Sequence, residues 1–154
     1  MIIPRWFSTS NRLLPQRLSL TLPRASAGIS SLGVCAFVVA FSAINGVLDA
    51  MDITRSIAGE LSYMLGAELS WCKALLSGIL ELGNGIGSMT GLAISPINLA
   101  LAAFILSWGG LSVHFQTFSM IAGTDIKTAR YMIGRFLTAL IAAALALLGA
   151  AVIF

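Results

Sequence analysis

The chain has 154 residues, 58% of them hydrophobic and 10% charged, with a net charge of +3 and a mean hydropathy of +0.95. Soluble domains carry about 25% charged residues, so this composition excludes a water-soluble globular protein and indicates an all-α integral membrane protein. The Lys and Arg residues form no dense stripe interleaved with aromatics, which argues against a nucleic acid polymer as partner.

Residues 1–27 carry Arg5, Arg12, Arg17 and Arg24 and no acid. Pro4, Pro15 and Pro23 speak against one continuous helix here. The stretch reads as a basic, membrane-proximal, cytoplasmic lead-in. Its length and the uninterrupted apolar run behind it do not fit a secretory signal, and a mitochondrial transit peptide is the rival reading. Residues 28–48 read as the first membrane helix, with Gly28, Gly33, Ser42 and Gly46 as small residues for close helix contact. Ile53, Ile57, Leu61, Met64 and Leu65 recur at helical spacing among charged residues, so 53–67 is expected to be an interfacial amphipathic helix.

Residues 69–95 are apolar but interrupted by Gly83-Asn84-Gly85-Ile86-Gly87-Ser88. Neither half reaches the roughly 20 residues a crossing needs. A re-entrant helical hairpin with its tip at 84–88 fits, with a plain crossing over 69–89 as the alternative. The hairpin puts the basic 123–130 loop on the side of the N-terminal arginines, as the positive-inside rule prefers. Residues 97–122 are long enough to cross but carry Gly109-Gly110 at the centre, followed by Ser112, His114 and Gln116. Two glycines invite a break, and broken backbone at membrane depth survives only where protein or a cavity satisfies it. Residues 131–154 form an Ala- and Leu-rich last crossing, with Thr124 or Asp125 as candidate caps. The architecture expected is about three transmembrane helices, one broken at Gly109-Gly110, plus a re-entrant hairpin and an interfacial helix.

Candidate functional groups sit at the two interruptions. Glu81 is an ionisable residue in an apolar run, and such groups usually face a cavity or partner. Asn84, Gly85 and Ser88 offer polar groups and open backbone at the expected hairpin tip, where helix N-termini attract anions. Gly109, Gly110, Ser112, His114 and Gln116 would approach the same solute from the broken helix. Cys35 and Cys72 show no ligand spacing and read as small buried residues; no metal site and no nucleophile–base constellation is visible, so an enzyme is not expected.

Two of these segments resemble a known family. Gly78-Ile79-Leu80-Glu81-Leu82-Gly83-Asn84-Gly85-Ile86 resembles the G-L-x-E-x-T-N-G segment of the nucleoside-recognition, or Gate, domain family, with Gly83 where that family often has Thr. Trp108 to Gln116 resembles its G-G-L-S-V-H-x-Q segment, and Thr124-Asp125-Ile126, Tyr131 and Arg135 resemble the T-D-I…Y…R that follows. The branch most like this chain is the sporulation integral-membrane proteins. The resemblance implies the C-terminal half of a two-repeat membrane transporter, located in a bacterial cell or spore membrane. Its solute would be small, polar and anionic, nucleoside- or dipicolinate-like, moved by alternating access between hairpin and broken helix. A second copy or a separate partner half would complete the site, and no cofactor is implied beyond a coupling proton or Na+. The alternative is a non-transporting assembly subunit of a membrane complex.

Overall fold

The computed structural model describes residues 16–153, with side chains described from Ser31 to Val152. The chain divides into two compact units, Met1–Gly33 and Val34–Phe154. All regular structure among the described residues is helical, in seven helices: α1 (Gln16–Ala50), α2 (Ile53–Leu65), α3 (Leu69–Leu80), α4 (Leu82–Ser88), α5 (Pro96–Trp108), α6 (Gly110–Ile121) and α7 (Thr128–Ile153). Three stretches are long and apolar enough to cross a membrane: Ser31–Ala50, Pro96–Ile121 taken through its break, and Thr128–Val152.

In the first unit, α1 begins at Gln16 and passes through Pro23 without interruption, contrary to the expectation that proline would break it. Proline removes one N–H and crowds one carbonyl, but the turns on either side keep their own bonds, and membrane helices tolerate the local defect. The rest of the expected lead-in, residues 1–15, lies outside the described residues.

In the second unit, a sharp corner at Asp52, in the left-handed region with φ 57°, leads into α2, and Gly66 with φ 62° ends it. The Ser62 hydroxyl donates to the Ala67 carbonyl at 2.6 Å and closes that turn. Helix α3 has 12 residues, a length of about 18 Å at 1.5 Å per residue, well short of a hydrocarbon core of roughly 30 Å. It reverses into α4, so 69–88 is a hairpin of two short arms. The tip is Glu81, with φ −147° and ψ 126°. It is not the 84–88 stretch, which is helical.

Of the glycines expected to form the tip, Gly85 serves close packing instead. A β-carbon at Gly85 would lie 2.3 Å from the Gly78 Cα, so the two arms touch backbone to backbone. Ile105 covers this seam: a β-carbon at Gly78 would meet its side chain at 2.8 Å. Ile105 is itself fully buried, with Ala74 and Leu101, beneath Trp71, Leu75 and Phe104.

Ser95 caps α5 by accepting from the Asn98 N–H at 3.3 Å, with Pro96 in its first turn. The apolar run then breaks where the double glycine predicts, Gly109 and Gly110 taking φ +85° and +77°. Helix α7 starts at Thr128, so neither Thr124 nor Asp125 caps it. The Thr124 hydroxyl instead donates to the Ile121 carbonyl at 2.7 Å, finishing the end of α6. Cys72 is buried as expected, whereas Cys35 is exposed on α1.

Candidate functional site

The hairpin tip and the broken span meet. A β-carbon at Gly110 would stand 2.9 Å from the Leu82 nitrogen, 3.0 Å from the Glu81 Cα and 3.1 Å from the Leu80 carbonyl oxygen. Only glycine allows two backbones so close at a positive φ. The two interruptions therefore form one seam in the interior of the second unit.

Glu81 is the hinge of that seam and is 5% exposed. Its backbone N–H donates to Ser77 O at 2.8 Å, closing α3. Its carboxylate Oε2 accepts the Asn84 N–H at 2.8 Å, capping α4. The chain thus caps the α4 N-terminus with its own carboxyl group. Of the backbone donors expected to face a solute at the hairpin, the Asn84 N–H is occupied by Glu81.

Asn84 and Ser88 point the other way, into a polar cleft of about 360 Å³. Its far wall is the end of α1, where Ser42, Asn45, Gly46 and Asp49 recur along one face; Ser77 and Gly83 complete the near wall. The Ser42 hydroxyl donates to Asn84 Oδ1 at 3.3 Å, and Asn45 Nδ2 donates to the Ser77 carbonyl at 3.3 Å. The Asn45 side chain is 3% exposed, and its Oδ1 has no hydrogen-bond partner among the described residues.

The polar residues of α6 do not reach this cleft. Ser112 and His114 are fully enclosed, and Gln116 is buried. His114 packs edge-on against Trp108 with ring centroids 4.3 Å apart. Its Nδ1 lies 3.1 Å from the Tyr131 hydroxyl. Tyr131 donates to Thr117 Oγ1 at 3.2 Å, and Thr117 donates to the Val113 carbonyl at 2.9 Å. Each hydroxyl has one proton, so the chain of donors assigns a proton to His114 Nδ1 and leaves Nε2 as an acceptor. That atom and Ser112 Oγ are buried without partners among the described residues. Gln116 Nε2 reaches the Val34 carbonyl at 3.5 Å, at the limit of a hydrogen bond.

Trp108 ties the seam to its surroundings. Its indole N–H donates to the Ile79 carbonyl on α3 at 3.2 Å. Its own carbonyl, at the C-terminal end of α5, accepts from Arg135 Nη2 at 3.3 Å. A cation at a helix C-terminus complements the dipole there. No group of three or more His, Cys, Asp or Glu side chains that could hold a metal ion occurs among the described residues.

Of the nine residues the sequence singles out, Glu81, Gly85 and Gly110 build the seam. Asn84 and Ser88 line the cleft, Gly109 lies at the break beside Arg135, and Ser112, His114 and Gln116 are interior. Sequence reading missed Asn45, Asp49 and Ser77 as polar lining and took Ser42 for a packing residue. The available signal was the spacing of Ser42, Asn45 and Asp49 at i, i+3 and i+7, which places them on one helix face.

No family model matches the chain, and no solved structure does. Over 123 residues the chain is 29% identical to the sporulation integral membrane protein YlbJ of Bacillus subtilis (strain 168). That match covers 76% of this chain and 30% of the relative, so the chain spans less than a third of the relative's length. Composition, three apolar spans and this similarity together describe an integral membrane protein, all-helical, similar to part of a sporulation membrane protein.

Proposed function

We propose that this chain is the solute-handling part of a membrane carrier for a small polar solute, completed by a second copy or a partner half. The observation that carries the reading is the polar cleft between α1 and the hairpin, set beside a broken span. Carriers commonly place their sites where interrupted helices meet near the bilayer midplane. The motif resemblance to the Gate family supports the same reading, and the similarity to a sporulation integral membrane protein supports its membrane setting.

The packing suggests which wall moves. The hairpin is fastened to α6 through the Gly110 backbone contact and to α5 through the Ile105 side chain seated against Gly78 and Gly85, which leaves little room for sliding. Toward the Val34–Ala50 part of α1 it makes hydrogen bonds of 3.3 Å, weak enough to exchange for bonds to a solute. Alternating access would then open and close the α1–hairpin cleft, with the seam travelling as one piece.

Uptake of a panel of radiolabelled small polar solutes into proteoliposomes tests this. Saturable uptake of at least one solute is expected, reduced at least about fivefold by Asn84→Ala, a change of roughly 1 kcal/mol for one lost hydrogen bond. Folded protein that takes up none of the panel would favour the assembly-subunit alternative.

A further inference from the structure

The second unit has another concavity, which shares no residue with the polar cleft. It is a groove of about 400 Å³ between α3, α5 and α7. Apart from the Trp71 indole, its lining is entirely hydrocarbon. Ala100 is its buried floor. Phe136, Leu140, Ala144 and Leu147 follow one face of α7 as a wall, which is lowest at Ala144. Along α5 the groove runs from Ile97 to Phe104, about 10 Å at 1.5 Å per residue. There it reaches the edge-on pair of Phe104 and Phe136, with ring centroids 6.3 Å apart.

Trp71 and Ile97 also line an adjoining hollow of about 490 Å³, together with Glu68, Ser95 and Asn98. The two spaces are therefore continuous, and polarity changes at Trp71. Helix α3 starts at Leu69 and α5 at Pro96, so the polar end lies where both helices begin. Tryptophan is enriched where hydrocarbon meets lipid head groups. The order along the groove, polar mouth and then apolar trough, is that of a phospholipid standing in its own leaflet. A crossing helix from a partner fits poorly, because it needs an apolar face through roughly 30 Å. This trough has about a third of that length and turns polar at one end. Glu68 is exposed and is the one ionisable side chain at the mouth among the described residues. A net anionic head group would meet a like charge there.

We propose that the groove holds one acyl chain of a bilayer phospholipid whose head group carries an ammonium, as in phosphatidylethanolamine. The chain lies against Ala100 and Ala144, and the ammonium faces Glu68 at the mouth. Inside a membrane, contact with hydrocarbon gains packing rather than dehydration. Shape then decides occupancy, and a side chain that fills the trough displaces the lipid.

Native mass spectrometry of the full chain tests this, after purification in detergent from membranes containing phosphatidylethanolamine and phosphatidylglycerol. One phospholipid per chain should survive removal of the micelle. It should be enriched about threefold in phosphatidylethanolamine over the mixture, the size of one exposed ion pair. Ala144→Phe, at an exposed position, should lower the bound fraction at least about fivefold by overfilling the trough. Leu145→Phe, 63% exposed and outside the groove, should leave the bound fraction unchanged. Glu68→Gln should keep the lipid and lose the enrichment. No retained lipid, equal retention in the two phenylalanine variants, or no enrichment in phosphatidylethanolamine overturns the proposal. The inference does not rest on the carrier reading, since retention is measured without uptake.

Discussion

Gly109 and Gly110 both take positive φ, yet they are constrained by different neighbours. A β-carbon at Gly109 would meet Arg135 Nη2 at 3.1 Å, the far end of a flexible side chain that can swing aside. At Gly110 it would meet the backbone of Leu80, Glu81 and Leu82, which cannot. Gly109→Ala should therefore cost about 1–2 kcal/mol, the left-handed penalty alone. Gly110→Ala should cost about 1–3 kcal/mol more for overpacking. Thermal unfolding of both variants in detergent checks the order, and equal midpoints would contradict it. The glycine pair was legible in the sequence because a helix dislikes two adjacent glycines wherever it lies. Which of the two bears the contact was not, because that depends on a partner 29 residues away. The same limit explains His114 and Ser112. Their polarity marks them as inward-facing, but only packing distinguishes inward toward a cleft from inward toward Trp108 and Tyr131.

At the scale of the element, the hairpin shows how one composition admits two geometries. A run with three glycines between Gly83 and Gly87 looks like a turn. Here it forms α4, because Glu81 caps the helix start and Gly85 lets it lie against Gly78. Length made the hairpin readable, since arms of this size cannot span a bilayer; the position of the reversal required knowing where the arms touch. Two alanine substitutions two residues apart separate the roles. Gly85→Ala should open the hairpin, costing about 1–3 kcal/mol, and raise hydrogen exchange across 82–88. Gly87→Ala, with nothing within 4 Å of the new methyl, should be neutral or gain up to about 1 kcal/mol from helix propensity. Similar losses from both would mean that the arms are not in backbone contact.

Across the whole molecule, hydrophobic length and the double glycine foretold three spans, one of them broken, and a hairpin that stops short of crossing. The polar face of α1 escaped notice because small polar residues in a membrane helix serve helix contacts as readily as solutes. What makes the arrangement more than a set of helices is the meeting of two interruptions, 81 and 110, behind a cleft lined by α1. Magic-angle-spinning NMR on carbon-13-labelled protein in lipid bilayers tests that meeting most directly. An assigned short-mixing cross-peak between the Glu81 and Gly110 α-carbons is expected. Its absence, with the resonances of residues 105–113 showing uninterrupted helical shifts, would contradict the account.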